Sequence, residues 1–283
     1  MNNNTVIITG TGFRHNENFN SSENIFTSEN VKINIGTATA KILAQKGYNI
    51  ILISRTIEKL EIIRKDILML FPNITVAIYP IDILNEESCH QFFKNLSNES
   101  NYYYVHSAGL STGSYDLKDD NPYLPIEEIP VDLPSLEFTT VVKSLLIMMK
   151  GLLPFFSNQL LSKVVVINSM SGIRSYPLGY SHSSAKGGLH NAVRALSLEL
   201  SKRNILFSEI MPGIVDTGLY DNNAVVKSVR RIGKEFGYNY DTSDIPKMNP
   251  LCVADVVYTC LVSEANILSI NMVSQGQWTH QNS

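Results

Sequence analysis

Apolar positions along the chain follow two rhythms. Short β-branched runs predict strands over Thr5–Thr9, Asn49–Ser54, Ile74–Tyr79, Tyr102–His106, Lys163–Asn168, Ile205–Ile210 and Ile270–Val273. Longer stretches between them carry apolar residues at helical spacing and predict helices over Gly36–Lys46, Glu58–Leu70, Glu86–Leu96, Ser135–Ser157, Ser183–Lys202 and Cys252–Ser263. Runs such as Val164-Val165-Val166-Ile167 lack polar alternation, as strands covered on both faces do. Strand–helix alternation of this kind predicts an α/β fold: a doubly wound, seven-stranded parallel sheet with helices on both faces, joined by right-handed crossovers. No composition break or internal repeat divides residues 1–283, so a single domain is expected.

Three stretches are too long for compact connections: Phe13–Lys32, rich in Asn, Ser and Glu; Leu110–Pro134, with four prolines; and Gly218–Met248. Insertions of this length are surface additions or functional loops. The second and third follow the ends of the fourth and sixth strands, the edge where ligands bind in such sheets.

Composition narrows the class. At 44% apolar and 17% charged residues the chain can build a large core, which excludes wholesale disorder. Lys plus Arg number 23 against 26 Asp plus Glu, and a net charge of −3 argues against a nucleic-acid binder. Three scattered cysteines form neither a disulfide framework nor a zinc spacing, and the six histidines show no HxH or HExxH pattern, so no metal site is expected. The polar start lacks a signal sequence. The most apolar run, Leu145–Phe156, is cut by Lys150 and Pro154 and is too short to span a bilayer, so a cytoplasmic protein without a membrane partner is expected.

The first strand runs into Thr9-Gly10-Thr11-Gly12, and Gly36 opens a helix. Glycines there permit a tight turn and let backbone N–H groups approach a pyrophosphate at a helix N-terminus, though the Gly12–Gly36 gap breaks the usual spacing. The second strand ends at Ser54-Arg55, where an NAD-type site wants a carboxylate; Arg55 can pair instead with a 2′-phosphate, which favours NADPH, or stand as a solvated arginine at a strand end. Asp82, in Pro80-Ile81-Asp82-Ile83, is placed to accept from an adenine amino group or to cap the next helix.

Later segments raise the specificity. Thr9-Gly10 with Asn34-Ile35-Gly36 resembles the TGxxxGxG loop of short-chain dehydrogenases/reductases, with Asn34 in the second glycine's place. His106-Ser107-Ala108-Gly109 resembles their NNAG element, Asn168-Ser169-Met170-Ser171-Gly172 the catalytic-serine segment, His182-Ser183-Ser184-Ala185-Lys186 the YxxxK signature, and Pro212-Gly213-Ile214-Val215-Asp216-Thr217 the PGxVxT segment. The order and spacing cover nearly the whole chain.

The resemblance implies a Rossmann-type fold, a nicotinamide coenzyme and a dimer or tetramer. It implies coenzyme contacts from Gly10, Gly12, Ile35, Gly36, Ser54, Arg55, Asp82 and Ile83, from Ser107, Ala108 and Gly109, and from Lys186, Pro212, Gly213, Val215 and Thr217. It also implies a substrate-facing Ser169 and a ribose-binding Lys186.

Two family residues are missing. The tyrosine slot holds His182, and the asparagine slot on the fifth helix falls near Val141. Residues 182 and 186 share a helix face, so the imidazole can stand over Lys186, whose charge lowers the imidazole pKa. Tyr180 is the alternative proton donor, since the enoyl-reductase branch also sets its tyrosine further from the lysine. Weak acid machinery hurts enone reduction less than ketone reduction, because donors to an enolate oxygen suffice. The expected activity is an NADPH-dependent reductase of a small carbonyl or conjugated enone, in specialised-metabolite synthesis. The other readings are a dinucleotide-binding pseudoenzyme and a non-redox lyase or isomerase. Lys227, Arg230, Arg231 and Lys234 form a basic stripe if helical, suited to an anionic or carrier-bound substrate or simply a solvated face. His190 is read as a helix-surface or interface residue.

Overall fold

A computed structural model of the chain describes residues 4–97, 100–109, 124–156, 161–221, 223–236 and 246–277. In chain order its strands are β1 (Asn4–Thr9), β2 (Phe13–His15), β3 (Val31–Ile33), β4 (Asn49–Ser54), β5 (Val76–Pro80), β6 (Asn101–His106), β7 (Ser162–Ile167), β8 (Ile205–Pro212) and β9 (Ser269–Met272). Seven form one parallel sheet in the order β5-β4-β1-β6-β7-β8-β9. The strand order reverses at β1 and β6, which opens a crevice beyond their C-terminal ends.

The helices are α1 (Ile35–Gln45), α2 (Ile57–Leu70), α3 (Glu86–Lys94), α4 (Leu133–Phe138), α5 (Ser144–Leu152), α6 (Tyr180–Leu200), α7 (Asn223–Phe236) and α8 (Pro250–Val262). Alternate strand residues point to opposite faces. Val6, Ile8, Ile50 and Leu52 pack with Leu43, Ile63 and Val257 from α1, α2 and α8. Ile7, Ile51, Val164 and Val166 pack with Phe92, Leu145 and Leu189 from α3, α5 and α6. Each fully buried aliphatic side chain contributes about 1.5–3 kcal/mol, so this two-sided core sets the sheet's edge and the crevice with it.

The predicted strands stand within two residues of their expected places. Two predicted helices differ informatively. Helix α6 begins at Tyr180 rather than Ser183 and takes in His182. The Ser135–Ser157 prediction becomes α4, a π turn at Thr139–Lys143 and then α5. Thr140 Oγ1 donates to Leu136 O at 2.9 Å and Ser144 Oγ donates to Thr140 O, the back-bonding that bends helices. The whole helical run Leu133–Phe155 is long and apolar enough to cross a membrane, unlike the shorter run read from the sequence. Its Leu145, Met148, Met149 and Leu152 are nevertheless buried against the sheet.

The Phe13–Lys32 insertion is a folded element. Its ends pair as the antiparallel β2–β3 hairpin, Phe13, Ile25 and Val31 enter the core, and Ile25 N donates to Asp66 Oδ2 at 2.8 Å. Residues 110–123 and 237–245 of the other two insertions lie outside the described residues.

Candidate active site

The β2–β3 pairing pinches the 13–32 excursion shut, so Gly12 and Asn34 meet although the sequence separates them. Asn34 Nδ2 donates to Gly10 O at 2.9 Å, while its Oδ1 accepts from Thr37 N at 2.9 Å and Gly12 N at 3.2 Å. Asn34 thus supplies both the loop closure and the α1 N-cap. Gly10 sits at φ +78°, where an added Cβ would lie 2.4 Å from Ser107 O; a Cβ on Gly36 would lie 2.8 Å from Gly10 O. These contacts give a tight turn seated on the Ser107-Ala108 backbone. The Gly12 amide is engaged within the turn, where Gly12 N also donates to Thr37 Oγ1 at 2.8 Å. The first-turn amides of Ile35 and Gly36 remain at the helix end, where the macrodipole favours an anion.

Arg55 is exposed at the C-terminal end of β4, and Ser54 O accepts from Ile81 N at 2.9 Å. Asp82 braces its own turn, with Oδ1 accepting from Leu84 N at 3.0 Å. Asn85, rather than Asp82, caps α3. At the end of β8, Gly213 N donates to Met272 O at 2.7 Å next to Pro212, and Ile214 N donates to Gln277 Oε1 at 3.1 Å. Val215 bridges to Met248, and Thr217 O accepts from Arg14 Nη1 at 2.9 Å.

The centre of the site is Lys186 on α6. Its Nζ donates to Ile167 O at 3.5 Å, at the end of β7. Asn168 Nδ2 donates to Lys186 O at 3.1 Å, and a Cβ on Gly172 would lie 2.8 Å from that same carbonyl, so the Ser169–Gly172 turn is pressed against the helix. Within the turn Ser171 Oγ donates to Ser169 Oγ at 2.8 Å. Burial pushes the Lys186 ammonium down to about 8, opposed by Glu137 and Glu209. It is therefore mostly cationic at neutral pH.

His182 stands one turn before Lys186, with Nδ1 3.9 Å from the buried Glu137 Oε1. Burial first and the Lys186 charge second push its pKa down to about 3. The side chain is still 38% exposed, so solvent tempers the desolvation, but both causes act to keep the imidazole neutral. Tyr180, at the first helical position, is 57% exposed and lies on a different helix face from Lys186. The structure brings His182, and not Tyr180, to the lysine.

Three buried groups around Lys186 carry no motif signature. Glu209 on β8 accepts from Asn168 Nδ2 at 2.5 Å and pairs with His190 Nδ1 at 2.7 Å. His190 is thus tucked toward the sheet rather than a surface residue. A carboxylate inside the apolar strand Ile205–Pro212 was the one visible signal. Glu137 lies on α4, with nothing local to mark it. His106, fully buried at the end of β6, has Nε2 3.2 Å from Val141 O and Nδ1 2.7 Å from Tyr104 OH. Only a donating Nε2 suits a carbonyl, so Tyr104 OH donates to Nδ1. A backbone carbonyl of the π turn, that of Val141, is thereby tied to His106.

Burial, with Lys186 second, lowers the His106 pKa to about 3. Between pH 6.5 and 3 the unfolded chain binds a proton that the folded chain does not, so stability falls with falling pH. Denaturant unfolding is expected to lose up to about 1.4 kcal/mol per pH unit from this group. The His106→Gln slope should be shallower by that amount, and equal slopes would contradict the assignment.

On α7, Lys227, Arg230, Arg231 and Lys234 lie on the exposed side, with Arg231 paired to Glu235 at 3.0 Å. Val225, Val229 and Ile232 are buried on the same helix, so the stripe is helical as expected.

A family model described as short chain dehydrogenase matches residues 33–225. Over 201 residues the chain is 25% identical to a 3-oxoacyl-(acyl-carrier-protein) reductase of Aggregatibacter actinomycetemcomitans, covering 70% of this chain and 78% of that one. An NADPH-bound short chain oxidoreductase of Pseudomonas aeruginosa PAO1 containing an atypical catalytic center superposes with a TM-score of 0.72 at 17% identity, over 98% of this chain and 97% of that one. An alcohol dehydrogenase of the archaeon Thermococcus sibiricus, complexed with 5-hydroxy-NADP, gives 0.69 at 19% identity over 95% of each. At such identities these two likenesses establish the fold.

Proposed function

The chain belongs to the short-chain dehydrogenase family, and from that premise we propose that it is an NADPH-dependent reductase acting on a small carbonyl or conjugated enone. The observation that carries this reading is the placing of His182 one helical turn before the buried Lys186, beside the Ser169–Gly172 turn and at the end of β7. The glycine turn fits a dinucleotide. Side chains are kept off Gly10 and Gly36 by close backbone contacts. Two solved proteins of this fold hold NADPH and 5-hydroxy-NADP.

Bound there, a reduced nicotinamide would supply the hydride. Ile35 and Gly36 would face the pyrophosphate, Arg55 the 2′-phosphate, and Pro212, Gly213 and Thr217 the ring. Lys186 would hold a positive charge beside its ribose. Ser169 Oγ and a neutral His182 N–H donate to the substrate oxygen and stabilise the charge that develops on it. With an imidazole pKa near 3, His182 is a hydrogen-bond donor more than a proton reservoir. That favours an enone, whose enolate takes its proton later from water. The exposed basic side of α7 suits an anionic or carrier-bound substrate. A role in specialised metabolism accords with the departures at residues 34, 141 and 182.

Consumption of NADPH against matched ketones and enones tests the reading. Turnover of an enone is expected, with His182→Ala lowering kcat about 10²-fold. Unchanged turnover in that variant removes His182 from the mechanism. Tight NADPH binding without consumption of any substrate would favour the pseudoenzyme, the reading that the missing tyrosine and asparagine support.

A further inference from the structure

The inserted hairpin is rooted in the glycine turn, where Asn34 N donates to Gly12 O at 3.1 Å, and it reaches the loop that follows β8. Arg14 on β2 stands directly opposite Lys32 on β3, so both side chains leave the same face of the ribbon. Like charges set opposite one another repel. Here two consecutive loop residues take them up. Lys32 Nζ pairs with Asp216 Oδ2 at 2.5 Å, and Arg14 Nη1 donates to Thr217 O at 2.9 Å. Gly218 follows at φ +80°, and a Cβ there would lie 3.2 Å from Arg14 Cδ and 3.3 Å from Lys32 Cβ. The loop backbone therefore lies flat against the hairpin, at a place where a side chain would have to push it away.

The first part of the same loop is fixed from the C-terminal part of the chain. Val215 bridges to Met248, Asp216 N donates to Met248 O at 2.8 Å, and Ile214 N donates to Gln277 Oε1 at 3.1 Å. Thr217 O and Gly218 instead meet the hairpin. The Lys32–Asp216 pair is partly exposed, and such a pair alone holds little. Joined to the Arg14 bond and to the close packing at Gly218, it restrains three successive residues. Their backbone freedom would otherwise be lost only when a ligand arrives.

We propose that Arg14 and Lys32 are positioning residues for Thr217: the inserted hairpin straps the loop after β8 to the glycine turn and fixes Thr217 before the coenzyme binds. This rests on the dinucleotide reading, in which Thr217 faces the nicotinamide ring, and adds a device that the insertion alone supplies. Both cations act through the loop backbone and make no contact with the coenzyme. The glycine turn and the ring-side loop then move as one unit, and less chain has to be ordered on binding.

The test follows amide hydrogen exchange across residues 214–221 of the full chain without coenzyme. It compares wild type with Arg14→Met, Lys32→Gln, Lys32→Arg and the exchanged pair Lys32→Asp with Asp216→Lys, and thermal melts report whether each is folded. Arg14→Met and Lys32→Gln are expected to speed exchange in this segment about tenfold while the central strands keep wild-type protection. They break the strap at different contacts, so either one, if folded, decides. Lys32→Arg and the exchanged pair should restore protection, a rescue that a general loss of packing would not give. NADPH titration, read by nicotinamide fluorescence, should show roughly tenfold weaker binding in Arg14→Met and Lys32→Gln and wild-type binding in Lys32→Arg. Wild-type exchange in the folded variants, or a loss that Lys32→Arg does not restore, overturns the strap. A loosened loop with unchanged NADPH affinity overturns the positioning of Thr217. A wild-type chain that binds no NADPH overturns the coenzyme reading and the role of Thr217 with it, while the exchange rates decide separately whether the hairpin holds the loop.

Discussion

Lys186→Met is expected to lower kcat/KM by about 10²–10³ without lowering the melting temperature. Lys186 is held at the ends of β6, β7 and β8 by the Ile167 carbonyl and by the fields of Glu137 and Glu209. A preorganised cation in such a place is worth about 3–4 kcal/mol to a developing oxyanion or a bound ribose. Methionine keeps the volume and removes the charge. The pH profile gives an independent check. With the Lys186 pKa near 8, activity should hold through neutrality and fall above that pH as the ammonium loses its proton. His182, titrating near 3, contributes no limb in the working range. Glu137 raises the Lys186 pKa, so Glu137→Gln should move the alkaline limb to lower pH. A limb unmoved by that change, or absent from the wild-type profile, would show that Lys186 does not control the rate.

Gly10→Ala should cost on the order of 3 kcal/mol of stability and weaken coenzyme binding with it. The residue sits at φ +78°, where an L side chain is strained by about 1–2 kcal/mol. Its added Cβ would also lie 2.4 Å from Ser107 O, a backbone atom at the end of β6, and such overpacking adds about 1–3 kcal/mol. The melting temperature is expected to drop by roughly 6–12 °C. Gly47 provides the control, with φ +81° and nothing within 4 Å of an added Cβ. Gly47→Ala should show the backbone strain alone. Equal losses at both positions would mean that the Ser107 backbone gives way, and that the turn is less rigid than its packing implies.

The path of the chain was legible in local pattern. A strand such as Val164–Ile167 is apolar on both faces because helices cover both, and that is written in consecutive residues. The pairing of His182 with Lys186 follows from helical geometry alone. Glu209 was half legible, as a charge inside an apolar strand. Glu137 was not, since one carboxylate on a short amphipathic segment has no local mark of burial.

Strand and helix identity and the order of the motifs were properties of the sequence by itself. They depend on side-chain chemistry within a few residues of one another along the chain. Tertiary structure decided the rest. It closed the Gly12–Asn34 gap through β2–β3 pairing, placed Val141 O against His106, surrounded Lys186 with two buried carboxylates, and tied Arg14 to Thr217 O. Each of these joins residues far apart in the chain, and the charge state of each group depends on how much water the packed neighbours exclude. That quantity exists only once the sheet and its helices have assembled.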